Sequence, residues 1–146
     1  MLLSFDVFGT LINVRESSYD AFVSILGECN RSDVDVRAFW EYWEERNISH
    51  YWETYRPYKE ICAVSLGEAF AHFNVPGDPG AISRYFDAFG RFRLYPDVLS
   101  TLESLSRRHR LAIVSNIDND LLAATPLVRE FDLVCTAEKE IGRAHV

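Results

Sequence analysis

Lysine is scarce in this chain, since Lys59 and Lys139 are the only lysines among its 15 basic residues. Acidic residues number 22, and the formal net charge of −7 argues against a nucleic-acid binder, because such a protein normally carries a basic patch. No run of about 18 uncharged apolar residues exists, so we expect no membrane-spanning segment. The length of 146 residues is typical of one domain, or two at most.

Cysteine is also rare and lacks the spacing of a metal or redox motif. Cys29, Cys62 and Cys135 are odd in number and show no CxxC pair, which favours reduced thiols over a disulfide framework or a zinc site. The four histidines show no ligand spacing, and we predict no metal site. The N-terminus has no basic segment and carries Asp6 where a signal peptide is apolar, so we expect a cytoplasmic protein.

Short apolar runs alternate with stretches of helical spacing along the chain. The runs predict buried strands at Leu2–Phe5, Leu111–Val114 and Leu133–Cys135. The spacing predicts a helix from Ser17 or Ser18 to Cys29 and further helices over 35–53, 57–73, 81–89, 98–107 and 118–127. This order predicts an α/β fold with a parallel sheet and a helical insertion after the first strand.

Polar side chains cluster where two of the predicted strands end. Asp6 with Thr10 follows the first strand, and Ser115 with Asn116 ends the second. Ligands of an open parallel sheet bind at the carboxyl ends of its strands, so these side chains face one crevice if the two strands are neighbours. A carboxylate held there could act as a nucleophile, and the backbone N–H groups of the Phe8–Thr10 turn could stabilise negative charge.

The two clusters together resemble the motifs of the haloacid dehalogenase (HAD) superfamily. The first motif of that family is matched by Asp6–Leu11 (DVFGTL), and the second by Leu111–Asn116 (LAIVSN). The resemblance covers nearly the whole chain and implies an incomplete Rossmann-like core, residues 1–14 and 96–140, with an all-helical cap at residues 15–95. It implies hydrolysis of a small molecule through an ester on an aspartate, without a nucleic-acid or membrane partner.

The resemblance also implies roles for individual residues. Asp6, Thr10 and Ser115 match the catalytic positions, with Asp6 as the nucleophile. Phe8, Gly9 and Asn116 match positions that bind the substrate. Trp40 and the neighbouring aromatic residues could line a substrate pocket, or they could pack between cap helices.

Phe8 separates the branches of the family that this chain could resemble. HAD phosphatases usually carry a second Asp at that position as general acid, and Phe8 cannot donate a proton. An aromatic residue followed by Gly-Thr-Leu is similar to the L-2-haloacid dehalogenase branch, which needs no cofactor. A phosphatase-type enzyme that uses Mg²⁺ and an inert HAD-like binding domain remain as alternatives.

One departure concerns the cap arginine that holds the substrate in the dehalogenases. Its place after Phe39-Trp40 is taken by Glu41, which would repel a 2-haloacid anion. Arg37 and Arg46 lie about one helical turn away, as substitutes for that arginine or as solvated surface residues.

The end of the chain lacks the later motifs of the family. The third motif is a lysine expected near position 144, whereas Lys139 lies earlier and no proline follows it. The fourth, acidic motif is absent. Residues 141–146 (IGRAHV) and a stop codon can be encoded by a widely used sequencing adapter, so we expect a non-native tail there. We therefore expect this chain to be an inactive, poorly stable fragment of a longer enzyme; the sequence predicts no oligomeric state.

Overall fold

The computed structural model describes residues 1–127 and 129–141. Contacts divide the chain into two compact units. The first contains Met1–Ser17 and the described residues from Phe89 onward, and the second is Ser18–Ala88. No helix of the described residues is long and apolar enough to span a bilayer.

A three-stranded parallel sheet forms the centre of the first unit. Its strands are β1 (Leu2–Phe5), β2 (Arg110–Ser115) and β3 (Leu133–Thr136), in the order β1-β2-β3. Phe5 pairs with Ile113, and Ser115 pairs with Thr136. The three predicted strands are present. Strand β2 is longer than predicted by one polar residue at each end, and β3 is longer by Thr136 at its end. The α/β fold with a parallel sheet is confirmed.

Helices α1 (Val14–Glu28), α2 (Val36–His50), α3 (Tyr58–His72) and α4 (Ser83–Asp87) follow β1, and helix α5 (Val98–Ser106) precedes β2. Helix α6 (Asn119–Ala124) joins β2 to β3, and α7 (Ala137–Glu140) follows β3. Single 3₁₀ turns occupy Pro79–Ile82 and Phe89–Arg91. The polypeptide therefore inserts a helical segment after its first strand, as the sequence predicts.

The helices differ from the predicted ones in one start, one division and one omission. Helix α1 begins at Val14, before the serines expected to cap it, because the Asn13 side chain accepts the Glu16 N–H instead. The predicted helix 81–89 is divided into α4 and two 3₁₀ turns. The sequence analysis missed α7, which Thr136 caps by accepting the Lys139 N–H at 3.2 Å.

One face of the sheet packs on α5. Leu111 of β2 joins Leu11, Val98 and Leu102 in a buried cluster, with Leu3 and Phe5 of β1 packed against it. Alternate residues of the strands point to the other face, where Leu2, Val114 and Leu133 are exposed. Ala112 on this second face is buried, so the described residues cover the face only in part, whereas parallel sheets usually bury both faces.

An aromatic core holds the second unit together. Trp43 lies at its centre, with ring centroids 4.9 Å from Phe22 and 5.1 Å from Tyr85, and its indole N–H donates to the Cys62 carbonyl. The hydroxyls of Tyr58 and Tyr85 lie 3.1 Å apart, and burial raises the pKa of both phenols well above the ordinary value. Trp43 of α2 therefore serves packing.

Candidate active site

Asp6 follows directly after β1, at the carboxyl edge of the sheet. Its carboxylate is exposed, and its Oδ2 atom accepts a hydrogen bond from the Thr10 hydroxyl at 2.9 Å. No other side chain of the described residues forms a hydrogen bond or ion pair with it. The bond fixes the carboxylate through one oxygen, so the other oxygen, Oδ1, is free to react.

The turn after Asp6 is built by converging backbone hydrogen bonds. The N–H groups of Thr10, Leu11 and Ile12 all donate to the Val7 carbonyl, at 3.3, 2.8 and 2.9 Å. Gly9 donates to the Ile12 carbonyl and has a φ of +84°, a conformation that glycine adopts without strain. This turn brings the Thr10 hydroxyl back to Asp6, four residues earlier.

These bonds correct part of the expectation about charge stabilisation by the turn. The Gly9 and Thr10 N–H groups are committed to carbonyls within the turn, so neither is available to a ligand without disrupting it. Of the three N–H groups in the Phe8–Thr10 turn, that of Phe8 alone has no backbone acceptor among the described residues. The Phe8 ring is half-buried and packs on Phe89 with centroids 5.7 Å apart, which holds this residue in place.

Ser115 lies at the same edge on the neighbouring strand. Phe5 pairs with Ile113, so the next residue, Asp6, corresponds in register to Val114. Ser115 follows Val114 directly. Ser115 is 6% exposed, and its buried hydroxyl has no hydrogen-bond partner among the described residues. Buried hydroxyls are nearly always hydrogen-bonded, so the donor of Ser115 is unused in this structure. Asn116, the next residue, is exposed.

The structure places the remaining predicted binding residue, Trp40, in the second unit. It is buried on α2, and its ring packs edge-on against Tyr19 with centroids 5.9 Å apart. Glu41 beside it is exposed. The other predicted site residues all lie in the first unit, in the turn that follows β1 or at the end of β2: Asp6, Phe8, Gly9, Thr10, Ser115 and Asn116.

The two arginines considered as substitutes for the cap arginine both have partners. Arg46 forms a two-point salt bridge with Glu68, with distances of 3.0 and 3.2 Å. This contact lowers the pKa of the Glu68 carboxyl below its ordinary value. The Arg37 guanidinium lies 5.6 Å from the centre of the Tyr19 ring. Arg46 is half-buried and paired, whereas Arg37 is exposed, as expected of a surface arginine.

Lys139 does not take the place of the family lysine near Asp6. Its ammonium group donates to the Val134 carbonyl at 3.3 Å. Within residues 1–127 and 129–141, no group of three or more His, Cys, Asp or Glu side chains could hold a metal ion. Residues 142–146, most of the predicted non-native tail, lie outside the described residues.

The structure also reveals residues that the sequence analysis did not single out. Thr136 donates its hydroxyl to the Asn119 side-chain oxygen at 2.6 Å, and the Glu138 carboxylate accepts the Asn119 backbone N–H at 2.6 Å. The sequence signal that could have identified Thr136 is its place at the end of an apolar strand next to the strand of Ser115. These contacts join the segments that follow β2 and β3.

Comparisons with known proteins show where this arrangement recurs. No protein-family model matches the sequence, and no curated protein matches it. Among solved structures, L-2-haloacid dehalogenase from Xanthobacter autotrophicus matches with a TM-score of 0.75 and 21% identity over 95% of this chain and 57% of that one. YfnB from Bacillus subtilis, described as a HAD-hydrolase bound to magnesium, matches with a TM-score of 0.79 and 14% identity over 94% and 65%.

The chain thus spans less than two thirds of the length of these structures. The match extends across the strand that precedes Asp6, the helical insertion and the strand that ends at Ser115, since it includes nearly all of this chain. At such low identity the likeness concerns the fold. The chain has the HAD-type fold, a Rossmann-like parallel sheet with a helical cap, as seen in the L-2-haloacid dehalogenases.

Proposed function

We propose that this chain carries the nucleophile of a HAD-like hydrolase, and that Asp6 is that nucleophile. The observation that carries the proposal is the Thr10–Asp6 hydrogen bond at the carboxyl edge of the sheet, next to the strand that ends in the unpartnered Ser115 hydroxyl. A reactive carboxylate needs to be oriented, and a negatively charged substrate needs donors beside it. The hydrogen bond from Thr10 orients the carboxylate, and the Ser115 hydroxyl is a donor for the substrate.

The reaction that fits this site best is dehalogenation of a small 2-haloacid. The free Oδ1 atom of Asp6 attacks C2, the carbon–halogen bond breaks, and the halide leaves with the bonding electrons. An ester then joins Asp6 to the acid. Water attacks the ester carbonyl of Asp6, which releases the 2-hydroxy acid and a proton and restores the carboxylate.

The neighbouring groups take simple roles in this scheme. Thr10 holds Oδ2, so that Oδ1 faces the substrate. Ser115, with its unused hydroxyl, and the Phe8 N–H donate hydrogen bonds to the substrate carboxylate. Asn116 contacts the substrate from the exposed side of the site. We propose no metal in these steps.

The choice of a halide as leaving group rests on Phe8. A halide departs without protonation, so a residue that cannot donate a proton is compatible with it, whereas an alcohol leaving group needs a general acid. One similar structure is that of an L-2-haloacid dehalogenase with chloropropionic acid covalently bound, at 19% identity and a TM-score of 0.75. The Mg²⁺-dependent phosphatase and the inert binding domain are the alternatives that the test must separate.

The sequence predicts no turnover for this chain, and we propose that only the first step, formation of the ester on Asp6, still proceeds slowly. No cation of the described residues forms an ion pair with Asp6, and each group that stabilises transition-state charge is typically worth a factor of about 10² to 10³. The assay should therefore detect a single chemical event. We propose to incubate the protein with 2-chloropropionate, racemic and as each enantiomer, and to follow chloride release and intact mass together.

The expected result is up to one chloride released per chain, with a mass increase equal to one propionate unit. Asp6→Asn should abolish both, because an amide is a far weaker nucleophile than a carboxylate. Asp20→Asn is the matched control, since Asp20 is an exposed aspartate on α1 of the second unit. Adduct formation in Asp6→Asn would contradict the proposal.

The two alternative functions are separated by a second substrate, a phosphomonoester. Phosphate release that requires Mg²⁺ would support the phosphatase, and no reaction with either substrate would support the inert domain.

A further inference from the structure

We infer that Thr136 is a positioning residue that fixes the loop carrying Ser115 and Asn116. Thr136 ends β3, is 1% exposed, and lies opposite Ser115 in the parallel ladder. Its hydroxyl donates to the Asn119 side chain at 2.6 Å and accepts the Lys139 N–H at 3.2 Å. Both capacities of one buried hydroxyl are therefore used, and one of them extends across to the segment after β2.

A second contact closes the connection. The Glu138 carboxylate accepts the backbone N–H of Asn119, the first residue of α6, at 2.6 Å. Asn119 is thus bound through its side chain to Thr136 at the end of β3 and through its backbone to Glu138 in the segment that follows. We call Thr136, Asn119 and Glu138 the clasp.

The clasp encloses a very short piece of chain. Only Asn116, Ile117 and Asp118 lie between Ser115, which the ladder places opposite Thr136, and Asn119, which the clasp bonds to Thr136. Both ends of this loop are therefore fixed by the same residue. Ile117 and Asp118 are buried, which leaves Asn116 as the exposed residue of the loop.

In a binding site, the clasp would fix the position of Ser115. Ser115 has a hydroxyl without a partner, so no hydrogen bond of its own side chain determines where that hydroxyl points. Its position depends on the backbone, and displacement of a positioned group by about 1 Å can remove most of its effect. The clasp supplies this rigidity, because it fixes the loop on the side opposite the strand.

The test uses the intact chain and two readouts. We propose Thr136→Val, which removes only the hydroxyl, Thr136→Ser, which restores it, and Glu138→Ala, a milder change at an exposed residue. Thr125→Val is the matched control, because Thr125 is also buried in the first unit and its hydroxyl donates only to the Leu122 carbonyl. NMR of the free protein measures the Asn119 amide exchange rate and the Ser115 and Asn116 amide shifts.

We expect Thr136→Val and Glu138→Ala to accelerate Asn119 amide exchange by about two- to tenfold and to shift the Ser115 and Asn116 signals. Thr136→Ser should retain the native values, and Thr125→Val should leave these signals unchanged. The clasp is overturned if Glu138→Ala and Thr136→Val leave the loop signals unchanged, or if Thr125→Val changes them equally. Should Thr136→Val not fold, Glu138→Ala alone decides.

The second readout rests on the proposed function. The concentration of 2-chloropropionate that gives half the maximal rate of adduct formation should rise in Thr136→Val and return in Thr136→Ser. A structural defect alone would lower the amount of reactive protein without changing that concentration. If the native protein forms no adduct, the proposed function fails, and the amide signals still decide whether the clasp exists.

Discussion

Truncation of Leu102 tests whether α5 covers the sheet that carries the site. Leu102 is 1% exposed and packs with Leu11, Val98 and Leu111 between the helix and β2. Leu102→Ala removes three buried carbons, worth about 2.4 kcal/mol at about 0.8 kcal/mol each. The cavity adds to this loss, so we expect a decrease of about 3 kcal/mol in the free energy of unfolding.

Leu99 provides the control on the same helix. It is 55% exposed, so Leu99→Ala should change the free energy of unfolding by no more than about 0.5 kcal/mol. Urea unfolding followed by far-ultraviolet circular dichroism measures both variants, and 3 kcal/mol corresponds to a midpoint shift of about 2 M. Equal losses in the two variants, or a loss below about 1 kcal/mol for Leu102→Ala, would refute the reasoning.

Three further predictions concern charge, backbone and metal. The hydrogen bond from Arg46 is the main cause of the lowered pKa of the Glu68 carboxyl. Ionised Glu68 therefore stabilises the folded state above the ordinary pKa of 4.5, and this stabilisation is lost as the pH falls through the lowered pKa. Urea midpoints should therefore show Glu68→Gln less stable by up to about 1 kcal/mol at pH 7, with the difference shrinking below pH 4.5. Gly9→Ala should cost about 1 to 2 kcal/mol in the same assay, because the residue has positive φ although its surroundings leave space for a methyl group; an unchanged midpoint would contradict this. EDTA should leave the rate of adduct formation from 2-chloropropionate unchanged, and restoration by Mg²⁺ would favour the phosphatase.

Sequence periodicity was sufficient for the sheet and the helical insertion. The strands β1 and β2 are apolar runs that end at Asp6 and Ser115, so the run itself marks both the strand and its functional end. The neighbouring positions of β1 and β2 in the sheet, which the argument for one crevice required, are seen in the register of Phe5 with Ile113. The spacing of Asp6 and Thr10 likewise corresponds to a direct hydrogen bond.

Other features depend on contacts that no local pattern encodes. Glycine and a short turn suggested free N–H groups, but the Val7 carbonyl accepts three of the N–H groups that follow it. The clasp joins residues 17 positions apart through a threonine that resembles any strand end in the sequence. The partner of Arg46 lies on another helix, 22 positions later, so its charge alone could not distinguish a ligand-binding arginine from a structural one.

The most direct test of the central claim is to locate the covalent adduct. Trypsin should release Met1–Arg15, a peptide in which Asp6 is the only acidic side chain, so an ester within this peptide lies on Asp6, and fragmentation distinguishes that ester from alkylation at Met1. After reaction with 2-chloropropionate, we predict that this peptide gains one propionate unit and that fragmentation places the gain on Asp6. An adduct on Cys29, Cys62 or Cys135 with an unmodified Met1–Arg15 would contradict the account.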